Sequence, residues 1–225
     1  MTKSPLVVFD LDGTLVDTAP DLVGALNFVL QREGLPLVPV ASARTMIGAG
    51  ARKLIERGLE VDGREVSAAD LDRLTTDFIA YYKDHIADAS LPFDGLHAAL
   101  DTLEQQGFRF AVCTNKLEGL SRLLLAKLEM TGRFAAICGA DTFGVAKPDP
   151  IIFRQTVAQA GGDLSRAIMV GDSGPDVGVA RRAGVPVIGV TFGYTETPIA
   201  ELKPDAVIGH MRDLPGAVES LLKCP

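Results

Sequence analysis

Leu6-Val7-Val8-Phe9-Asp10-Leu11-Asp12-Gly13-Thr14 is the stretch whose reading decides the fold of this chain. An unbroken apolar run, Leu6 to Phe9, stops at two carboxylates one residue apart. A short apolar run bounded by polar and glycine signals reads as a strand buried on both faces, as in parallel sheets. If the chain stays extended past Phe9, Asp10 and Asp12 point to the same side. Gly13 permits a tight turn, into which Thr14 can donate its hydroxyl. Two carboxylates at a buried strand end repel unless a cation joins them, so the stretch implies a divalent metal.

Working outward, three more apolar runs end in chemistry. Residues 108–113 run into Thr114-Asn115-Lys116, and residues 135–138 lead through a loop to Ala146-Lys147-Pro148-Asp149-Pro150. Ile168-Met169-Val170-Gly171 ends in Asp172-Ser173-Gly174-Pro175-Asp176. In an open parallel α/β sheet the carboxyl ends of the strands lie side by side and ligands bind in the crevice outside them. Residues far apart in sequence then share one site. Beyond Gly95 strands alternate with helical patterns, including one over residues 117–130 that buries Leu120, Leu123, Leu124 and Leu128. The fold class is therefore α/β, a doubly wound and mostly parallel sheet with right-handed crossovers.

Between the first two strands the pattern is wholly helical. Thr18 caps a helix with Pro20 in its first turn, and Leu22, Ala25, Leu26, Val29 and Leu30 recur at helical spacing. Ser42 opens a short helix towards Ile47, and Ala51, Leu54, Ile55 and Leu59 mark another. Ser67-x-x-Asp70 has the form of a capping box, ahead of a stripe formed by Leu71, Leu74, Phe78 and Tyr81. The expected organisation is a core of residues 1–16 plus 92–225 and an inserted helical cap of residues 17–91. Linkers 15–18 and 90–95 would serve as the hinge of a lid that excludes water.

The 225 residues are 47% hydrophobic and 23% charged, as in an ordinary globular domain with room for an inserted lobe. A net charge of −7 argues against nucleic acid and acidic membrane surfaces as partners, which need basic patches. Cys113, Cys138 and Cys224 share no metal-ligand spacing and read as reduced packing residues in the cytoplasm. No signal peptide precedes Leu6, and no apolar stretch approaches the ~20 residues of a membrane span. Expected partners are small molecules alone, with the chain a monomer or homodimer.

Asp10-Leu11-Asp12-Gly13-Thr14, Thr114-Asn115, Lys147-Pro148 and Gly171-Asp172-Ser173-x-x-Asp176 resemble, in order and spacing, the four motifs of the haloacid dehalogenase superfamily, and most closely its phosphatases. The resemblance spans the chain and implies a Rossmann-like core with a helical cap. It also implies roles suited to phosphoryl transfer, which needs an in-line nucleophile, cations around the equatorial oxygens and a proton for the leaving group. Asp10 would be the nucleophile, forming an aspartyl-phosphate, and Asp12 the general acid and base. Mg²⁺ would be held by Asp10, the main-chain carbonyl of Asp12, and Asp172. Thr114, the amide of Asn115, and the Gly13-Thr14 turn would bind the phosphoryl oxygens, with Lys147 supplying fixed positive charge. Asp176 and Ser173 would form an outer shell around metal and lysine.

The resemblance also bears on substrate. Dehalogenases of the superfamily lack the second aspartate, so Asp12 favours a leaving group that needs a proton. Phosphonate-cleaving relatives need an imine-forming cap lysine, for which Lys53 has no support beyond position. Gly48-Ala49-Gly50-Ala51-Arg52, Asp17-Thr18-Ala19-Pro20 and Thr191-Phe192-Gly193-Tyr194 resemble segments of phosphoglycolate phosphatases. A glycine turn at a helix start offers amides to an anion, and Arg52 would clamp a carboxylate. The substrate expected is a small phosphorylated organic acid such as 2-phosphoglycolate, or else a sugar phosphate. A mutase similar to β-phosphoglucomutase, a pyrophosphatase and a broad sugar-phosphate phosphatase would carry the same motifs. A phospho-receiver is disfavoured by the inserted lobe, and a non-catalytic binder by the intact acidic pair.

Overall fold

Strand β1 (Leu6–Phe9) lies in the middle of a six-stranded parallel sheet. The computed structural model describes residues 4–61, 63–64 and 66–222, so Cys224 falls outside the described residues. A two-residue strand β2 (Val16–Asp17) leads into the helical insertion and β3 (Leu91–Pro92) leads out of it. The sheet is completed by β4 (Arg109–Cys113), β5 (Phe134–Cys138), β6 (Ala167–Gly171), β7 (Val187–Val190) and β8 (Ala206–Ile208). Its order is β5-β4-β1-β6-β7-β8, so the chain builds outward on one side of β1 and then on the other. That reversal at β1 creates the crevice where α/β proteins bind ligands.

Strand alternation sorts the core into two layers. Val7, Phe9, Phe110, Val112, Ile168 and Val170 face one side, against α5 (Leu96–Gln105), α6 (Glu118–Lys127) and α9 (Leu214–Leu221). Leu6, Val8, Ala111, Cys113 and Met169 face the other, against α7 (Pro150–Gln159) and α8 (Gly174–Ala183). The α6 helix ends at Lys127, earlier than its apolar pattern suggests; Leu120, Leu124 and Leu125 are buried, while Leu123 and Leu128 are partly so.

The insertion holds α1 (Ala19–Arg32), α2 (Val40–Ala43), α3 (Ala51–Glu60) and α4 (Ala68–Asp84). Ser42 lies inside α2, not at its start, because Pro39 sets the entry. On α4 the Ser67 hydroxyl accepts the Asp70 amide, as the capping pattern predicts. The buried stripe continues through Tyr82 and not Tyr81: Leu74, Phe78 and Tyr82 follow at intervals of four, while Tyr81 stacks between Phe28 and His85.

The two linkers do not run separately. Strands β2 and β3 pair antiparallel, and the Phe93 amide donates to the Leu15 carbonyl. Asp21, buried in the first turn of α1, accepts from the amides of Ala89 and Ser90 and from the Ser90 hydroxyl at 2.6 Å. One continuous apolar cluster runs from the β1 face through Leu11, Leu15 and Val16 into Leu22, Leu26 and Phe78 of the insertion. The crossing is thus braced by hydrogen bonds and shared packing.

Candidate active site

Strand register brings the motif residues together. Phe9 pairs with Val112 on β4 and Val170 on β6, which sets Asp10, Cys113 and Gly171 at one level across three strands. The Asp10 amide extends the ladder by donating to the Val170 carbonyl at 2.9 Å. Thr114 and Asp172 follow one residue beyond, and the loop after β5 delivers Lys147.

Here Asp10, Asp172 and Asp176, all buried, offer oxygens within 4.8 Å of one another. The Lys147 ammonium lies 2.9 Å from Asp10 Oδ1 and 2.6 Å from Asp176 Oδ1, with its side chain 1% exposed. Burial opposes its charge, but Asp10 and Asp176 outweigh that and hold its pKa above the ordinary lysine value. Asp176 also accepts the Ser173 amide and hydroxyl, closing a capping box at the start of α8. Asp172 accepts the Tyr194 amide at 2.6 Å and the Thr14 hydroxyl at 3.0 Å. Backbone presses close around it: a Cβ on Gly13 would stand 2.7 Å from Asp172 Oδ2, and one on Gly193 would collide with Asp172 Cβ.

Three buried carboxylates around one ammonium leave negative charge uncompensated. Burial, reinforced by Asp176 and Asp10, raises the Asp172 pKa to about 8. Asp10 rises to about 6 through burial, with Lys147 opposing the rise and Asp176 adding to it. An all-oxygen donor set short of positive charge suits a hard divalent cation such as Mg²⁺.

Asp12 lines the same cavity as Asp10 but takes different partners. Its carboxylate meets Lys116 Nζ at 3.0 and 3.1 Å and accepts the Thr18 hydroxyl at 2.8 Å. Lys116 Nζ also donates to the Tyr82 hydroxyl of α4 at 2.9 Å. Burial works against the Lys116 charge, but Asp12 and Tyr82 raise its pKa overall, so it is an ammonium at neutral pH. Burial pushes the Tyr82 phenol up to about 12, so it is neutral. Asp12, Lys116 and Tyr82 line a cavity of about 300 Å³ between the strand ends and the insertion, together with Asp10, Thr114 and Asn115.

The remaining expected residues fall as follows. The Thr114 hydroxyl accepts the Lys116 amide, which leaves its own hydrogen to donate. Asn115 spends its side chain on Lys147: Oδ1 accepts the Lys147 amide at 2.8 Å, and Nδ2 reaches the carbonyls of Lys147 and Gly48. The Thr14 hydroxyl crosses to Asp172 instead of turning into its own loop, because Gly13, at φ +83°, already closes that turn. Thr18 stands at the N-cap position of α1 without capping it, since its hydroxyl donates to Asp12 Oδ1. Arg52 borders the cavity, but its guanidinium pairs with Asp72 and lies 3.8 Å from Glu56.

A family model of haloacid dehalogenase-like hydrolases matches residues 7–190. The chain belongs to that family. This hydrolase is 48% identical over 220 residues to the phosphoglycolate phosphatase of Caulobacter vibrioides, covering 97% of this chain and 93% of the relative. It is 47% identical to the phosphoglycolate phosphatase of Agrobacterium fabrum, over 97% of this chain and 94% of that one. A crystal structure of a predicted phosphoglycolate phosphatase from Haemophilus somnus superposes with a TM-score of 0.87 at 29% identity, covering 96% and 99% of the two chains. The chain is thus an enzyme, a hydrolase of phosphatase type. Among its described residues no helix is long and apolar enough to cross a membrane.

Two features of the hydrolase escape the sequence reading. Lys116 stands in the quoted strand-end triplet, and a lysine ending a buried strand needs a carboxylate partner; that was the available signal. Tyr194 joins core and insertion: its hydroxyl donates to Asp17 and accepts the Ala19 amide, and Arg44 lies over its ring while pairing with Asp17 at 2.7 Å. No spacing rule marks a partner so distant in sequence.

Proposed function

We propose that this hydrolase cleaves 2-phosphoglycolate to glycolate and phosphate, with Mg²⁺, through an aspartyl-phosphate on Asp10. The observation that carries the reading is the division of labour between two aspartates of one turn. Both line the cavity, but Asp10 pairs with Lys147 among the buried carboxylates, whereas Asp12 pairs with Lys116 beside Tyr82 of the insertion. Full-length relatives named phosphoglycolate phosphatase support the substrate.

In the first step an Asp10 carboxylate oxygen attacks phosphorus in line, the bond from phosphorus to the ester oxygen breaks, and Asp12, which takes up a proton as the ester binds, gives that proton to the ester oxygen. In the second, water attacks the same phosphorus, Asp12 takes the proton back, and phosphate leaves with Asp10 restored. The Thr114 hydroxyl, the Asn115 amide and the Gly13-Thr14 turn would donate to the equatorial oxygens, while Lys147 balances their charge. Asp10, Asp172 and the Asp12 carbonyl would hold Mg²⁺, which when bound neutralises the meeting of an anionic nucleophile with an anionic ester. Asp176 and Ser173 hold Lys147 and the start of α8 in place. The helical insertion, residues 17–91, would act as the lid over the core, moving about the braced strand pair. Two buried free thiols, Cys113 and Cys138, suit a reducing compartment, so we place the reaction in the cytoplasm.

Asp10→Asn tests the reading. Phosphate release should vanish while circular dichroism and melting stay near wild type; turnover close to wild type would place the nucleophile elsewhere.

A further inference from the structure

The cavity between the strand ends and the insertion has two cations in its wall, Lys116 and Arg52. Their situations differ. Arg52 is 47% exposed at the rim and already faces Asp72 and Glu56 on the insertion. Lys116 is 5% exposed and lies inside, 3.0 Å from Asp12 and 2.9 Å from the Tyr82 hydroxyl. The Tyr82 ring, its centroid 4.5 Å from the ammonium, shields one side from water. The three hydrogens of the ammonium meet both Asp12 oxygens and the Tyr82 hydroxyl, so a ligand carboxylate would bind by taking the place of one Asp12 oxygen, an exchange open to it when Asp12 carries its proton.

A buried ion pair contributes little net stability, since desolvation offsets the attraction. Stability alone therefore gives no strong reason for the Asp12–Lys116 pair as a whole, although each partner needs the other once one is present. The place of Lys116 beside the proton donor gives one. The leaving oxygen must lie next to Asp12 when it receives its proton, and whatever is attached to that oxygen then lies next to Lys116. In 2-phosphoglycolate one methylene separates the ester oxygen from a carboxylate. Leu22, Leu54, Phe78 and Ile79 line the cavity with apolar side chains, and the Gly48–Ala51 turn and Thr75 add only neutral groups, so Lys116 is the buried charge available to a second anion.

We propose that Lys116, assisted by the Tyr82 hydroxyl, recognises the carboxylate of the leaving group and so sets the preference for phosphorylated acids over phosphorylated alcohols. This rests on the phosphoglycolate reading above and moves the specificity role from the rim arginine to the buried lysine. Because Tyr82 belongs to the insertion and Lys116 to the core, a carboxylate bound there would touch both lobes at once.

The test compares kcat/KM for 2-phosphoglycolate with that for 2-hydroxyethyl phosphate, in which a hydroxymethyl group replaces the carboxylate. Any effect of Lys116 on Asp12 acts on both esters and cancels in the ratio. The wild type should favour the acid by about tenfold or more, Lys116→Met should bring the ratio to within about threefold of one, and Arg52→Ala should leave it unchanged. Lys116→Gln, which keeps donors for Asp12 and Tyr82 but no charge, repeats the test should the methionine variant not fold. A second readout needs no turnover: glycolate should raise the melting temperature of the wild type but not of Lys116→Met, with ethylene glycol shifting neither.

A ratio preserved in both Lys116 variants would reduce the lysine to a positioning residue for Asp12 and overturn the proposal. A ratio lost in Arg52→Ala would return the role to Arg52. A wild type that hydrolyses both esters equally would defeat the phosphoglycolate reading itself, and the proposal with it.

Discussion

Lys147→Met removes the one ammonium among three buried carboxylates while nearly preserving side-chain volume. Lys147 is 1% exposed and bonded to Asp10 at 2.9 Å and Asp176 at 2.6 Å, so neither partner can turn to water when it goes. Deleting one member of a buried pair costs about 3–5 kcal/mol, because the remaining charge is left uncompensated. For a chain of this size that corresponds to a melting temperature lower by about 6–20 °C. The deficit should depend on pH. Carboxylates without their lysine titrate higher in the folded state than in the unfolded one, so the folded variant keeps protons that the unfolded chain loses. Stability is then retained at low pH and lost as pH rises, and the gap from wild type should be wider at pH 8 than at pH 5. Thermal melts of metal-free wild type and variant at both pH values measure this. A deficit under about 3 °C, or one that shrinks as pH rises, would refute the charge accounting of the cluster.

The wild type should show the same physics through its metal. Asp172, raised to about 8, and Asp10, raised to about 6, hold protons in the folded state that the unfolded chain releases near 3.8. Metal-free protein should therefore lose stability as pH climbs from about 4 through 8, and Mg²⁺ should raise the melting temperature more at pH 8 than at pH 5. An equal Mg²⁺ shift at both would contradict the assignment. Gly13→Ala places a side chain at φ +83° and 2.7 Å from Asp172 Oδ2, so denaturant titration should show a loss of about 1–3 kcal/mol or more; unchanged stability would mean the turn is looser than described. Cys113, buried and pushed up to about 12 with Lys147 opposing the rise, should resist alkylation at pH 8 until the protein is unfolded in urea, as peptide mass spectrometry would report.

Much of the site is legible in the sequence because strands of a parallel sheet announce themselves twice: an apolar run fixes the element, and the first polar residues after it fix the ligand end. Asp10, Thr114 and Asp172 are all found this way, and register then makes them neighbours. What the pattern misses follows from its grain. A helical stripe tolerates a shift of one residue, which puts Tyr81 in the place of Tyr82 and hides the partner of Lys116. The β2–β3 pair has two residues a side, too short for periodicity to reveal. The hydroxyls of Thr14 and Thr18 have local uses available, and only the fold shows that nearby carboxyl oxygens outcompete those uses. Arg52 looks free in sequence because Asp72 lies a full helix away.

The most direct measurement is phosphate release from 2-phosphoglycolate, sugar phosphates, pyrophosphate and phosphonoacetaldehyde, each with and without Mg²⁺. Mg²⁺-dependent turnover favouring 2-phosphoglycolate by about tenfold or more, a difference of ~1.4 kcal/mol in transition-state stabilisation, is the predicted result. Equal rates across the panel would contradict the substrate assignment, and no release from any ester would contradict the phosphatase reading.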